Sequence, residues 1–286
     1  MPWSTNDIGD HEERGGLRAP AQLSSAVLDP PSRFLPGPRP RRVAHRGLAL
    51  DGAENTLRAF ADALAAGADM LETDTHATAD GTAVAIHDPT LARLTGDPRA
   101  VSEIRAREID GIRVAGLEPL ARLEDVLGHF PDVPVNIDVK QESAIIPAVT
   151  AITRTGAAGR VCLTSFDGDV AEQACRAVQM ATGILPTRST SSLRTGAFLT
   201  ARVLEADALV AQILAPYGAL QVPVSFGPVR VVSPRTVAAA HRAGCEVQVW
   251  TIDDPVRMRE LLALGVDGII TNRVDLLSEL TRHRQE

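Results

Sequence analysis

The sequence predicts an α/β fold: a (β/α)8 TIM barrel with a small insertion after the third strand and a poorly structured N-terminal tail. Three observations predict it. From residue 41 onward, short β-branched runs alternate with Ala/Leu/Arg-rich stretches for about 240 residues, the pattern of a parallel sheet built from roughly eight strand and helix units. The helical stretches TLRAFADALAAG, SPRTVAAAHRAG and DPVRMRELLALG each end in Gly, as helix C-termini often do. No GxGxxG or GxxxxGK[ST] follows any strand, which weakens an open nucleotide-binding sheet as the alternative.

Taken in order, residues 1–40 are rich in Pro and Gly (PPSRFLPGPRP) and lack periodicity, so they read as an extended or disordered tail before a barrel spanning 41–286. Strands are expected near 41–46, 70–75, 83–87, 133–139, 160–165, 181–185, 219–224, 246–252 and 267–271. Residues 88–120 follow the third strand and are expected to form a small insertion capping the site. Its Arg93, Arg99, Arg105 and Arg107 suit a polar substrate. No short internal repeat is present.

Composition limits the function. The chain has 286 residues, 44% of them hydrophobic, enough to bury a large core. A formal net charge of −7 argues against nonspecific binding to nucleic acid or anionic membranes, which needs a basic surface. No apolar run approaches the roughly 18 residues of a membrane span. The stretch MPWSTNDIGDHEERGG leads into no apolar h-region, so it does not read as a secretory signal. Cys162, Cys175 and Cys245 form no CxxC and no tight cluster, which fits reduced core thiols in a cytoplasmic protein. The oligomeric state is left open.

The strand interiors carry the anomaly. Buried parallel strands usually read as near-continuous apolar runs. In MLETDTH, however, Glu72, Asp74 and His76 share one face, and in VPVNIDVK, Asn136, Asp138 and Lys140 do the same. Their apolar partners should face the helices, leaving the polar sets inside the barrel. Buried carboxylates without partners are costly, so this convergence calls for a cation. An ordinary ion network with Arg46 and Lys140 would answer that need equally well. What tips the reading toward chemistry is a pair of histidines. VAHRG delivers His45 and GTAVAIHDP delivers His87, each at a strand's C-terminal end, where barrel enzymes place their active sites.

HRG…ENT, LETDTHATADGTAVAIHDPTLARLTG, PLARLEDVL, NIDVK, TSF and VQVWTIDDPVRMRELLALGVDGIITN, in that order, resemble the glycerophosphodiester phosphodiesterase family over about residues 41–280. The resemblance implies a barrel that hydrolyses glycerophosphodiesters to glycerol 3-phosphate and an alcohol with a divalent metal. By motif it implies Glu72, Asp74 and Asp138 as metal ligands and His45 and His87 as catalytic residues. An all-carboxylate site suits a hard ion, Mg²⁺ or Ca²⁺ with Mn²⁺ admissible. Two histidines flanking a phosphate can serve as base and acid. Arg46 can grip the anion through its planar fork, and Lys140 adds a point charge.

Smaller assignments accompany these. Glu54 in AENT is expected to touch a substrate hydroxyl, while Asn55 and Thr56 read as a helix cap. Trp250 is implied to pack against the glycerol moiety, with plain barrel packing as the alternative. His76 could orient a ligand, and His129 and His241 read as surface residues. Two departures from the family pattern stand out. Asp138 occupies a position where Glu is common, shortening reach by about 1.5 Å. TNRVD replaces an Asp followed by Pro, so that Asp's contribution is absent. The partner expected is a small glycerophosphodiester. A lysophospholipase D using the same site, and a noncatalytic phospho-ligand-binding barrel, are the alternatives. The low aromatic content speaks against the first of these, and the intact set of histidines and carboxylates against the second.

Overall fold

Alternation of inward and outward side chains builds the barrel. In the computed structural model, which describes residues 33–282, eight parallel strands form one sheet. They are β1 (Arg41–His45), β2 (Met70–Ala77), β4 (Val135–Val139), β5 (Val161–Thr164), β6 (Thr187–Arg188), β7 (Ala219–Val222), β8 (Glu246–Val249) and β9 (Gly268–Thr271). A further short strand, β3 (Ala83–Ala85), pairs antiparallel with β2 and stays outside the ring. The order is β6-β5-β4-β2-β1-β9-β8-β7, and a single parallel bridge from Ser189 to Ala219 joins the two ends.

Leu71, Val135, Ile137, Val139, Val161 and Leu163 face outward into a layer with the helices α1 (Leu57–Ala65), α2 (Leu123–His129), α3 (Ile145–Arg154) and α4 (Gly168–Thr182). On the other side, Leu220, Val222, Val247, Val249 and Ile269 pack in a second cluster with α5 (Ser192–Val203), α6 (Asp207–Leu214), α7 (Pro234–Arg242), α8 (Pro255–Ala263) and α9 (Val274–Arg282). Helix starts follow local chemistry. Thr56 caps α1 by accepting from Ala59 N, Ser233 caps α7 ahead of Pro234, and Asp254 caps α8 ahead of Pro255.

Two expected strands need correction. Residues 181–185 are not a strand: α4 runs to Thr182, Gly183 ends it in the left-handed conformation, and Ile184 and Leu185 are exposed. The barrel strand of this unit comes later, at Thr187–Arg188. The run at 83–87 supplies β3, a hairpin partner rather than a ninth barrel strand.

The reading of residues 1–32 as a tail lies outside the described residues. Residues 33–40 pack across the N-terminal end of the barrel. Phe34 and Leu35 are buried against Val43, Met70, Cys162, Ala219 and Ile270, and the Phe34 ring lies 4.8 Å from the Arg41 guanidinium. Residues 88–120 hold a short helix (Ala92–Thr95), two 3₁₀ turns and a two-residue hairpin, with Leu91, Val101, Ile104, Ile109, Val114 and Leu120 packed beneath Ala53, Val84 and Ile86. Among the described residues, no helix is long and apolar enough to cross a membrane.

Candidate active site

The inward face of each strand brings one part of the site to the C-terminal mouth. The register sets His45 beside Glu72, Glu72 beside Asn136, and Asp74 beside Asp138. A pocket there is lined by His45, Arg46, Glu72, Asp74, His87, Asp138, Lys140 and Trp250, among others. Glu54 contacts this set through Arg46.

β1 ends in a tight turn in which Arg46 and Gly47 both take left-handed backbone (φ 58° and 85°). The turn is held by the Arg46 N–H, which faces the carbonyl of Glu72 at 3.0 Å and its Oε2 at 3.1 Å. Arg46 Nη1 donates to Glu54 Oε1 at 3.0 Å. Its Nε lies 3.0 Å from Asp74 Oδ2, an ion pair without hydrogen-bond alignment. Lys140 Nζ sits between Asp74 Oδ1 (2.7 Å) and Asp138 Oδ2 (2.5 Å).

The three carboxylates therefore differ. Burial alone would raise Asp74, but Lys140 and Arg46 outweigh it and hold this carboxyl below its ordinary range. Burial pushes Glu72 well up, reinforced by Asp74, and pushes Asp138 up despite Lys140. Asp138 Oδ1 is buried without a hydrogen-bond partner. An orphaned carboxylate oxygen and a carboxyl driven toward its neutral form mark a site short of positive charge. The donor set, all oxygen, suits a hard divalent ion. In these side-chain positions, however, no group of three His, Cys, Asp or Glu is disposed to hold a metal among the described residues, because Lys140 and Arg46 occupy the ground between the acids. Asp74 and Asp138 are thus paired with these cations, while Glu72 forms no ion pair with either of them among the described residues.

Both histidines are anchored through Nδ1. His45 Nδ1 lies 2.7 Å from Asn272 Oδ1, and His87 Nδ1 lies 2.7 Å from Asp88 Oδ1. Burial, with Arg46 adding to it, lowers the His45 pKa. Arg93 of the insertion reaches the site by bonding Asp88 Oδ2 (2.6 Å) and Glu54 Oε1 (2.7 Å). Glu54 thus sits between two guanidinium groups; burial would raise it, but Arg93 and Arg46 prevail and lower it. Within the insertion, Arg99 pairs with Asp97 and Glu108 and so faces away from the site. His76 donates Nε2–H to the His87 carbonyl at 3.1 Å, supporting the strand end that carries His87. His129 is exposed, whereas His241 pairs with Asp267 at 2.7 Å.

The opposite wall is apolar and hydroxyl-bearing. Phe166 meets Trp250 edge to face (centroids 6.0 Å, 82°), and Lys140 Nζ lies 5.9 Å from the Phe166 ring centre. Phe226, on a small hairpin, joins them with Thr164, Ser165, Thr190 and Thr195.

Sequence reasoning missed four contributors. Asn55 is not a cap: its Nδ2 donates to Asp74 Oδ2 (3.2 Å) and its Oδ1 accepts from Thr73 (2.8 Å). Asp88 and Asn272 anchor the histidines, and Phe166 shapes the wall. An aromatic directly after the strand-ending TS was a legible signal for Phe166. Asn55 and Asn272 act on residues distant in sequence, and Asp88, though next to His87, takes its role from its contact with the His87 ring.

A family model, that of the glycerophosphoryl diester phosphodiesterase family, matches residues 45–276. The chain is 38% identical over 248 residues to a probable glycerophosphodiester phosphodiesterase 2 of Mycobacterium tuberculosis, covering 85% of this chain and 91% of that one. Its structure resembles a glycerophosphodiester phosphodiesterase from Agrobacterium tumefaciens with a TM-score of 0.64 at 25% identity, over 84% of this chain and 98% of the other. The fold is shared with an Oleispira antarctica phosphodiesterase in complex with sn-glycerol-3-phosphate, at TM-score 0.64 and 18% identity, over 87% of this chain and 98% of that one.

Proposed function

Because the chain belongs to the glycerophosphoryl diester phosphodiesterase family, a class of phosphoric diester hydrolases, we propose that it cleaves glycerophosphodiesters to glycerol 3-phosphate and an alcohol, with His45 and His87 as the acid and base. The observation that carries this reading is the pairing of two pocket histidines, each tied at Nδ1, with the cations of Arg46 and Lys140 beside them.

Phosphodiester cleavage needs the anion neutralised, a nucleophile deprotonated and a leaving alkoxide protonated. Arg46 offers a planar fork to phosphate oxygens, and Lys140 a mobile point charge. Each histidine keeps Nε2 free for proton transfer. Trp250 and Phe166 give the glycerol carbons an apolar surface and exclude water from it. A divalent cation, Mg²⁺ or Ca²⁺ with Mn²⁺ admissible, would be held by Glu72, Asp74 and Asp138. When bound it would neutralise phosphate charge as a Lewis acid. What supports it is the orphaned Asp138 Oδ1 and the raised Glu72, and it requires Arg46 and Lys140 to turn from the acids to the phosphate.

A second reading, a lysophospholipase D using the same site, is favoured by one observation. Aromatic residues are only 3% of the chain, yet Phe166, Phe226 and Trp250 gather at this mouth, with Phe166 62% and Phe226 55% exposed. That rim could receive an acyl chain.

The test is a substrate panel of glycerophosphodiesters and lysophospholipids, with and without each metal, with products identified by phosphorus NMR. Glycerol 3-phosphate from the former supports the main reading, and lysophosphatidate from the latter the second. His45→Ala and His87→Ala should each lower kcat by about 10²- to 10⁴-fold with the fold intact. Chelation should stop turnover and Mg²⁺, Mn²⁺ or Ca²⁺ restore it. Near-wild-type rates in either alanine variant refute the acid–base pair.

A further inference from the structure

His45 is not anchored by a carboxylate, as His87 is, but through a two-residue relay from the loops after β8 and β9. Asp253 accepts three hydrogen bonds at 2.8 Å: from Thr271 Oγ1, from the Asn272 backbone N–H, and from Asn272 Nδ2. A carboxylate only accepts, so the amide nitrogen of Asn272 must face Asp253. The amide oxygen must then face His45, where Oδ1 lies 2.7 Å from Nδ1. That oxygen has no proton to give, so Nδ1 carries the proton. In the neutral ring this leaves the lone pair on Nε2, the nitrogen on the Glu72 side of the pocket.

We propose that Asn272, oriented by Asp253, is the positioning residue of His45: it fixes the Nδ1–H tautomer and the ring plane, so that Nε2 is presented to the substrate as a proton acceptor. Asp253 anchors the amide at both ends, through its backbone N–H and its Nδ2, and so removes the freedom to flip that an exposed asparagine otherwise has. Thr271 Oγ1 locks Asp253 in turn, and also accepts from the Arg273 backbone N–H at 2.9 Å. The relay assigns a role to a loop that contains no titratable group within hydrogen-bond reach of His45 Nδ1. An aspartate at 272 beside Asp253 would place two carboxylates within a hydrogen-bond distance of each other, so the amide is the chemically consistent choice while Asp253 is present.

This proposal rests on His45 acting in proton transfer, and the experiment separates the two. The measurements are kcat and KM for glycerol 3-phosphate release, and the ring-nitrogen ¹⁵N spectrum of His45 in the full chain, assigned by comparison with His45→Gln. The wild-type ring should show the Nδ1–H tautomer. Asn272→Ala, at an exposed position, should mix the tautomers and lower kcat about 10- to 100-fold with KM unchanged. The exchange Asp253→Asn with Asn272→Asp keeps every hydrogen bond: the new amide at 253 accepts from Thr271 and the 272 N–H and donates to the new carboxylate, which still accepts from His45. It should restore the tautomer and most of kcat, whereas a residue that merely props the loop would show neither loss nor rescue in the ring spectrum. The proposal is overturned by an Nε2–H tautomer in the wild-type chain, by an Asn272→Ala variant with unchanged tautomer or unchanged kcat, or by failure of the exchange to restore both. The ring spectrum needs no turnover, so a wild-type chain that hydrolyses no phosphodiester counts against the functional reading while the tautomer is still decided.

Discussion

Three carboxylates within one pocket titrate in opposite directions because each has different company. Asp74 lies against Lys140 and Arg46, which outweigh its burial and pull it down, while Glu72, whose carboxyl accepts from the Arg46 backbone N–H, is pushed up by burial and then by the charge of Asp74. The sequence placed these acids on one face, since strand periodicity fixes that. It could not say which acid the cations would choose, because Arg46 and Lys140 reach across strands. Asn272 shows the same limit: losing an Asp at that position looked like losing its contribution, but the asparagine contacts His45 with Asp253 behind it. Asp88 gives a residue-scale prediction. Its carboxyl is drawn from 3.8 to about 2, chiefly by Arg93, which overcomes the opposing effect of burial, with His87 adding a smaller pull. A depressed folded pKa means the stabilisation is complete above pH 3.8 and fades as pH falls toward 2. Solvent screens this partly exposed cluster, so Asp88→Asn should cost about 1 kcal/mol or less at pH 7. Urea unfolding at pH 7, 4 and 2 checks it: the gap between variant and wild type should close at the lowest pH, and a gap that widens there sinks the account.

The turn after β1 shows how an element makes a site. His45 must end the strand and Arg46 must fold back over the mouth, which the two left-handed residues accomplish. Gly47 is required twice over: its φ is 85°, and a Cβ there would lie 2.7 Å from the backbone carbonyl carbon and oxygen of Ala59 in α1. Backbone cannot move aside as a side-chain tip can. Gly47→Ala should therefore destabilise by about 2–4 kcal/mol and also displace Arg46, lowering phosphodiesterase activity in the fraction that stays folded. Urea unfolding and a parallel rate assay would show it, and a variant as stable and active as wild type would refute it. At this scale the sequence was legible where periodicity and caps agreed, as in α1, α7 and α8. It misled at 181–185, where an apolar AT-G-IL run looked like a strand. The amphipathic period of α4 continued to Thr182, and the strand that followed spans only Thr187–Arg188, too short to register as a run.

Closure of the whole barrel depends on a weak seam and a strong interior. The seam is β6, two residues long and joined to β7 by one bridge. The outer packing is divided as well, with one cluster behind β1, β2, β4 and β5 and another behind β7, β8 and β9. A polar column through the interior ties the halves together. Asn136 on β4 accepts from Gln221 on β7 (3.2 Å), and Gln221 also donates to Gln248 on β8 (2.9 Å). Gln248 in turn donates to Glu246 (3.1 Å), which holds Arg41 on β1 (2.7 Å) under the Phe34 plug. Gly268 makes this possible, since a Cβ there would meet Arg41 Cβ at 3.1 Å and Gln248 Cγ at 3.2 Å. Buried polar groups so connected hold one arrangement, because breaking any link strands its partner away from water. The halves should then open together, and the cysteines report on it. Cys175 lies in the first outer cluster, Cys245 in the second and Cys162 at the plugged end. Burial pushes Cys175 up to about 11, Cys245 up to about 12, and Cys162 well above its ordinary value. Only a thiolate attacks iodoacetamide, so at pH 8 the folded chain should label at none of the three. In rising urea all three should become reactive over the same concentration range, read by mass spectrometry of the digested protein. Labelling of Cys245 well before Cys175 would mean that the column does not couple the halves, and that the seam at β6 opens on its own.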